Sequence, residues 1–375
     1  MSGIYLHIPF CKQACSYCDF YFVTRQQLKE QFVESLLDEI NQYRDTAYAK
    51  KPIETIYFGG GTPSLLSPRQ LEDIFTALRS VFQIKAKEIT LEMNPDDVTA
   101  QYLAELKSIG INRASMGVQS FQPALLSFMN RAHTRQEALQ SLELLSASGF
   151  QSFTVDLIYG NPGQTMQQLT DDLDLLLKFN PPHVSAYSLT VEPRTRLGKQ
   201  VELGRIQPPK DDHVADQFEM INDRLSAHGI RRYEVSNYST PGAEAVHNSS
   251  YWNHKNYIGL GPGAHSFWWD ENPRRWENES DLKAYCSDTS QKESEQLSMH
   301  ELAEERIMMG LRTRVGISGK EMAEKYCYNF SNAQQDYLQK QKDRSILTLT
   351  ETGFALTDIG ISIADSIILD FITLH

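Results

Sequence analysis

The sequence predicts an α/β fold: six strand–helix units forming a parallel sheet, then an irregular aromatic extension, then a small C-terminal α+β module. Three observations predict it. Short apolar and β-branched runs recur at residues 4–8, 55–58, 89–93, 113–118, 153–159 and 184–190. The intervals between them have room for one helix each, and several carry apolar residues at helical spacing. After residue 190 the rhythm fades. Alternation of this kind means βα units and a parallel sheet. Both an open, partial barrel and a fuller closed one satisfy it.

In chain order, strand 4–8 is followed by Phe32, Leu36, Leu37 and Ile40 on one helical face. Strand 55–58 is followed by Leu71, Ile74, Phe75, Leu78 and Phe82, with Ser67 as N-cap and Pro68 at the first helical position. Gly110 and Gly149 stand where helix C-caps belong, and Ala138, Leu142 and Leu145 repeat the helical pattern. A further helix is expected at 211–228, an irregular aromatic segment at 233–276 and a charged linker at 287–305. Short strands at 347–349 and 354–356 and an amphipathic docking helix at 361–374 complete a winged-helix-like outline. The organisation expected is a core at 1–232, an aromatic and histidine segment at 233–290 and a C-terminal module at 291–375.

Composition removes several function classes. The 375 residues carry 36 Lys and Arg against 48 Asp and Glu, a formal charge of -12. A nucleic-acid binder would show a basic surplus or block, so no nucleic-acid partner is expected, and the final module has no concentrated basic face. Five cysteines is too few and too odd for a disulfide scaffold. The start lacks a basic region followed by an apolar one, and no apolar run approaches about 18 residues. A soluble, cytoplasmic protein is the expectation.

Three cysteines stand together: Cys11, Cys15 and Cys18, in CxxxCxxC spacing directly after the first strand. In a βα barrel, active sites assemble at the strands' C-terminal ends. A structural zinc site would want a fourth ligand. His7 is the nearest candidate, but it lies inside the first strand, where a sheet role suits it better. A disulfide cannot use three cysteines evenly. A [4Fe–4S] cluster fits better, because three thiolates leave one iron open. S-adenosylmethionine (SAM) can occupy such a position through its amino and carboxylate groups. Cys286 and Cys327 are distant in sequence and read as ordinary thiols.

YLHIPFCKQACSYCDF, residues 5–20, resembles the radical SAM superfamily and, within it, the oxygen-independent coproporphyrinogen III oxidase family, across nearly the whole chain. The resemblance implies a partial (β/α)6 barrel holding a [4Fe–4S] cluster on Cys11, Cys15 and Cys18. YFGGGTPS after the second strand lacks a P-loop lysine; a tight strand–helix turn is the plain reading. The resemblance implies instead that Gly60, Gly61 and Thr62 meet SAM. It assigns Glu92, Gln119, Arg131 and Asp156 to SAM as well, with Tyr5 and Tyr17 flanking the cysteines. Without it, Arg131 reads as surface charge, and Asp156 as a strand carboxylate needing a salt bridge or a ribose diol.

All four tryptophans (Trp252, Trp268, Trp269 and Trp276) lie close to His247, His254 and His265. Aromatic surface with a histidine suits haem; an aromatic core under a long loop is the plain alternative. HNSSYW, residues 247–252, resembles the haem-binding motif of the family's haem-chaperone branch and makes His247 the first candidate axial ligand. Phe20 stands where the oxidases carry a fourth cysteine. The resemblance therefore implies a haem chaperone that passes haem to apo-haem proteins. Coproporphyrinogen III oxidase (dehydrogenase) activity is the alternative, and a radical SAM enzyme for an unrelated substrate the third reading. A homodimer and peripheral membrane contact through respiratory recipients are further states it allows.

Overall fold

The computed structural model describes residues 2–269 and 272–374. Its centre is six parallel strands: β1 (Ser2–Ile8), β2 (Pro52–Gly60), β3 (Gln83–Met93), β4 (Arg113–Gln119), β5 (Ser152–Tyr159) and β6 (His183–Ser188). They pair in sequence order. β1, β2 and β5 are largely apolar and buried, as expected where helices cover one face, while β3, β4 and β6 mix apolar with polar residues. Helices fill the intervals. Pro68–Val81 starts at Ser67, whose side chain and that of Gln70 form a reciprocal capping box. Ala100–Ile109 stops at Gly110 in the left-handed conformation.

The sheet continues on both flanks. On one side β7 (Arg231–Arg232) and β8 (Asn237–Ser239) run antiparallel beside β6. On the other, β9 (Asn256–Leu260) lies parallel to β1, and β10 (His265–Trp268), β11 (Arg274–Asn278) and β12 (Lys292–Gln296) follow antiparallel. The edges are β12 and β7, so the barrel is open. The aromatic segment is thus part of the sheet and not irregular, which corrects the expectation. The expected charged linker likewise contains β12. Its sequence KESEQ shows no apolar alternation because it is an exposed edge strand.

Buried Glu39, on the helix Lys29–Gln42, ties the extension to the barrel. Its carboxylate accepts from Gly261 N at 2.8 Å, Asn278 Nδ2 at 2.8 Å, Tyr285 Oη at 2.7 Å and Lys292 Nζ at 2.9 Å. A buried charge is tolerated only when paired and fully hydrogen-bonded, and here four donors from the extension meet it.

The C-terminal module begins with the helix Met299–Leu311 and holds a three-stranded antiparallel sheet of β13 (Ile317–Ser318), β14 (Leu347–Leu349) and β15 (Gly353–Leu356). The helices Gly319–Tyr326 and Asn332–Asp343 precede β14, and Ala364–Thr373 closes the chain. Leu302, Ile307, Phe354, Ile367 and Phe371 share a core that also takes in Phe267 of β10. Arg232 reaches across to Asp358, and Arg314 N donates to Tyr233 O at 3.0 Å. No helix among the described residues is long and apolar enough to cross a membrane.

Candidate functional site

The cysteine loop leaves β1 and is fastened from several sides. Cys11 N donates to Val23 O at 3.0 Å, and Ser16 N donates to Met129 O at 3.0 Å. Asn130, at a positive φ of 55°, donates from Nδ2 to Ala14 O at 2.7 Å. Lys12 pairs with Asp96 and Asp97. The loop is therefore held by the segments after β3 and β4, at the C-terminal ends of the parallel strands. Gly61 makes the close approach to it. A Cβ there would lie 2.7 Å from Phe10 O and 2.9 Å from Ile8 O, closer than carbon and a carbonyl oxygen can pack. Gly61→Ala is therefore expected to displace the cysteine loop and lower reconstituted iron content while the fold survives. Iron assay beside far-UV circular dichroism checks this; full iron loading would contradict it.

Cys11, Cys15 and Cys18 are free and face a cavity of about 610 Å³. Tyr17, Gly60, Gly61, Thr62, Glu92, Gln119, Arg131 and Asp156 line the same cavity. The structure thus brings together from five strand ends nearly every residue the sequence nominates. Burial pushes the Cys11 and Cys18 thiols up to about 11. They carry protons at neutral pH, and bound iron would replace those protons. Thr62 Oγ1 donates to Cys11 Sγ at 3.6 Å, and Arg131 Nη1 lies 3.4 Å from Cys15 Sγ. Arg131 Nη2 donates to Asn94 Oδ1 at 2.7 Å and Gly117 O at 2.8 Å, so the guanidinium is a fixed cation beside the cysteines.

Two carboxylates sit deeper. Tyr57 Oη donates to Glu92 Oε1 at 2.7 Å, and burial raises Glu92 to about 7. Ser115 Oγ donates to Asp156 Oδ2 at 3.2 Å, and burial raises Asp156 to about 6. Gln119, at a positive φ of 66°, has a buried Oε1 without a partner among the described residues, as does the Thr90 hydroxyl. Unpartnered buried acceptors facing a cavity are what a polar ligand with donors would satisfy. Asn94, Thr90, Ser185 and Tyr187 also line the cavity. The sequence reading missed them, although Asn94 is part of the same strand-end motif as Glu92. Thr190, too weak to nominate from sequence, lines it as well.

Tyr5 departs from expectation. It does not line the cysteine cavity. Its ring stacks on Tyr57 at 6.1 Å and its Oη meets His7 Nδ1 at 3.1 Å, which turns it into a second, larger cavity of about 1280 Å³. The reason is strand alternation: Tyr5 and His7 share one face of β1. Phe20, Tyr57, Glu92 and Asn248 line both cavities, so the two adjoin. Phe20 is 71% exposed and stands in the shared mouth.

The aromatic segment supplies the far side of the larger cavity. Asn248, Tyr251 and Trp252 line it, at i, i+3 and i+4 of the helix Val246–Trp252. His247 does not. It is 1% exposed, and both ring nitrogens are engaged: Nδ1 with Thr55 Oγ1 at 2.8 Å and Nε2 with Tyr251 Oη at 2.7 Å. Burial lowers its pKa to about 3, so it is neutral. In this structure His247 is therefore turned away from the larger cavity. His247 braces Tyr251 and Tyr57, and an open nitrogen is missing. Three of the tryptophans are also elsewhere: Trp268 and Trp276 pack on Tyr48, and Trp269 on Tyr326.

The sequence profile described as Radical SAM superfamily matches residues 5–176. The haem chaperone HemW of Bacillus subtilis (strain 168) is 34% identical over 370 residues, covering 96% of this chain and 96% of that protein. The chain belongs to the HemW family. HemW of Escherichia coli (strain K12) is 39% identical over 267 residues, covering 70% of this chain and 69% of the relative. Among solved structures, the coproporphyrinogen III oxidase HemN of Escherichia coli superposes with a TM-score of 0.84. It covers 99% of this chain and 90% of that one at 23% identity, which shows a shared fold. As a radical SAM superfamily member, this HemW-family chain is of a class that carries a [4Fe–4S] cluster and SAM. The donors present suit that pair: three adjacent thiols, a fixed cation and unpartnered acceptors in one cavity.

Proposed function

We propose that this HemW-family chain is a haem chaperone that binds haem in the larger cavity and passes it to apo-haem proteins in the cytoplasm. Cys11, Cys15 and Cys18 hold the cluster. Tyr17, Gly60, Gly61, Thr62, Glu92, Gln119, Arg131 and Asp156 hold SAM. Residues 1–232 form the cofactor core, 233–290 the haem segment and 291–375 a module closing the larger cavity. One observation carries the reading: relatives named haem chaperone match end to end, and beside the cysteine cavity lies an aromatic chamber of about 1280 Å³. Sites for drug-sized ligands span roughly 300–1,000 Å³, so this one has room for a macrocycle.

When bound, the cluster and SAM supply one-electron radical chemistry. The chain's own contribution is placement and charge. Arg131 offsets negative charge at the thiolates, and Glu92 and Asp156 offer carboxylates to a cationic ligand. Glu92 is protonated in the fold up to about 7 but ionises near 4.5 when unfolded. The fold binds the extra proton, so ligand-free stability falls as pH rises through that window. Affinity for cationic SAM is expected to rise with pH through the same range, and Glu92→Gln to flatten both trends. Equilibrium binding at pH 6 and pH 8 checks this; Asp156, raised to about 6, leaves a smaller trend in the variant, and a trend of undiminished size would count against Glu92.

The function is tested by titrating haem into the anaerobically reconstituted protein and following the Soret band. Saturation at one haem per chain is expected. Supplying coproporphyrinogen III, SAM and a reductant should give no sustained turnover, because Phe20 replaces the fourth cysteine. Robust formation of protoporphyrinogen would overturn the chaperone reading.

A further inference from the structure

We propose that His265 is the residue that presents a free imidazole nitrogen to haem iron, an inference that rests on the haem reading of the larger cavity. Three histidines line that cavity among the described residues: His7, His254 and His265. His7 is engaged at both nitrogens, Nδ1 with Tyr5 Oη at 3.1 Å and Nε2 with Tyr21 O at 2.8 Å. His254 is buried in a stack, its ring 4.4 Å from that of Phe267, with Nδ1 on Tyr326 Oη at 3.2 Å and Nε2 facing Glu305 at 3.3 Å. His265 differs. Its Nδ1 pairs with Glu277 Oε2 at 3.1 Å, its side chain is 57% exposed, and Nε2 has no partner among the described residues.

The sheet puts it there. His265 and Phe267 lie two apart on β10 and both line the cavity, while Trp268 turns to the opposite face and packs on Tyr48. Glu277 is the direct cross-strand partner of His265 on β11. A carboxylate on one ring nitrogen fixes the tautomer and directs the other nitrogen outward. Histidines that bind metals almost always have such a partner. Lys255 also lines this cavity and is suited to a haem carboxylate, while Arg312, likewise in the lining, is paired with Asp365 at 2.6 Å. His247, behind Tyr251, is then a positioning residue for the wall.

The test titrates haemin into the full-length wild type, His265→Ala and Glu277→Gln, reading affinity and the ligand signature in the Soret region and by electron paramagnetic resonance. Cluster iron content and circular dichroism control for folding. His265→Ala is expected to weaken binding by roughly 10–100-fold and to lose the histidine signature, with millimolar imidazole restoring it. Glu277→Gln should weaken binding less, by roughly tenfold, the low end for an outer-shell partner because the amide keeps one acceptor oxygen. A histidine signature unchanged in His265→Ala overturns the assignment, whether or not affinity falls. Failure of the wild type to bind haemin overturns the haem reading itself, and this inference with it.

Discussion

Cys15→Ala abolishes the iron–sulfur chromophore, and Cys11→Ala and Cys18→Ala do the same. Three thiols face the cavity, and a cluster with one open iron has no ligand to spare. Loss of an outer-shell partner already costs 10–100-fold in metal affinity. Loss of a direct thiolate should therefore leave under roughly a tenth of the wild-type iron. Cys15 carries a second consequence, because its Sγ lies 3.4 Å from Arg131 Nη1. Its removal leaves a buried guanidinium without that partner, so the variant should also bind SAM weakly. Cys286→Ala and Cys327→Ala are the controls: Cys286 packs beside Ser35, Cys327 ends a helix on the exposed surface, and neither lines the cavity. Both should keep full iron and colour. Iron and sulfide assays with visible spectra decide it, and a brown Cys15→Ala protein would contradict the cluster assignment.

Glu39→Ala should cost about 3–5 kcal/mol, the range for removing one partner of a buried ion pair. Four donors lose the carboxylate together: Gly261 N, Asn278 Nδ2, Tyr285 Oη and Lys292 Nζ, of which Asn278 keeps Gly261 O and Lys292 keeps Tyr43 Oη. Against a typical total of about 5–15 kcal/mol, that is a large share. Glu39→Gln retains one acceptor and should lose less. Because the lost contacts belong to the extension, haem binding should fail before the cysteine loop does. Urea midpoints at fixed slope measure the effect. A change under about 1 kcal/mol would show that the network contributes little beyond an exposed pair.

The parallel centre was legible because each of its strands carries a buried apolar or β-branched stretch between helical segments. The forecast at 89–93 caught only the buried end of β3, which begins at Gln83 in an alternating, half-exposed stretch. The flanking strands were not legible. β12 has no apolar pattern, and β8 and β10 are three and four residues long. The Glu39 network was invisible for another reason: its partners lie 222 to 253 residues away in sequence.

At the site, the cysteines and the strand-end residues were readable because each follows a strand and points the same way round the barrel. A motif gives neighbourhood and not direction, so which cavity Tyr5 faces, and that His247 faces none, was not legible in the sequence. Strand alternation turns Tyr5 towards the larger cavity, and the helix Val246–Trp252 places Asn248, Tyr251 and Trp252 on that cavity with His247 behind them. His265 was noticed only as one of three histidines; its carboxylate partner becomes apparent only through the β10–β11 register.

The central claim is that this chain carries haem as cargo. The most direct measurement loads the reconstituted protein with one equivalent of haem, mixes it with an apo-haem protein and follows each partner's Soret signature after separation. Haem carried as cargo moves to the recipient faster than it is released to a passive haem scavenger. Haem that stays bound, or leaves at the same rate with the recipient as with the scavenger, would contradict it.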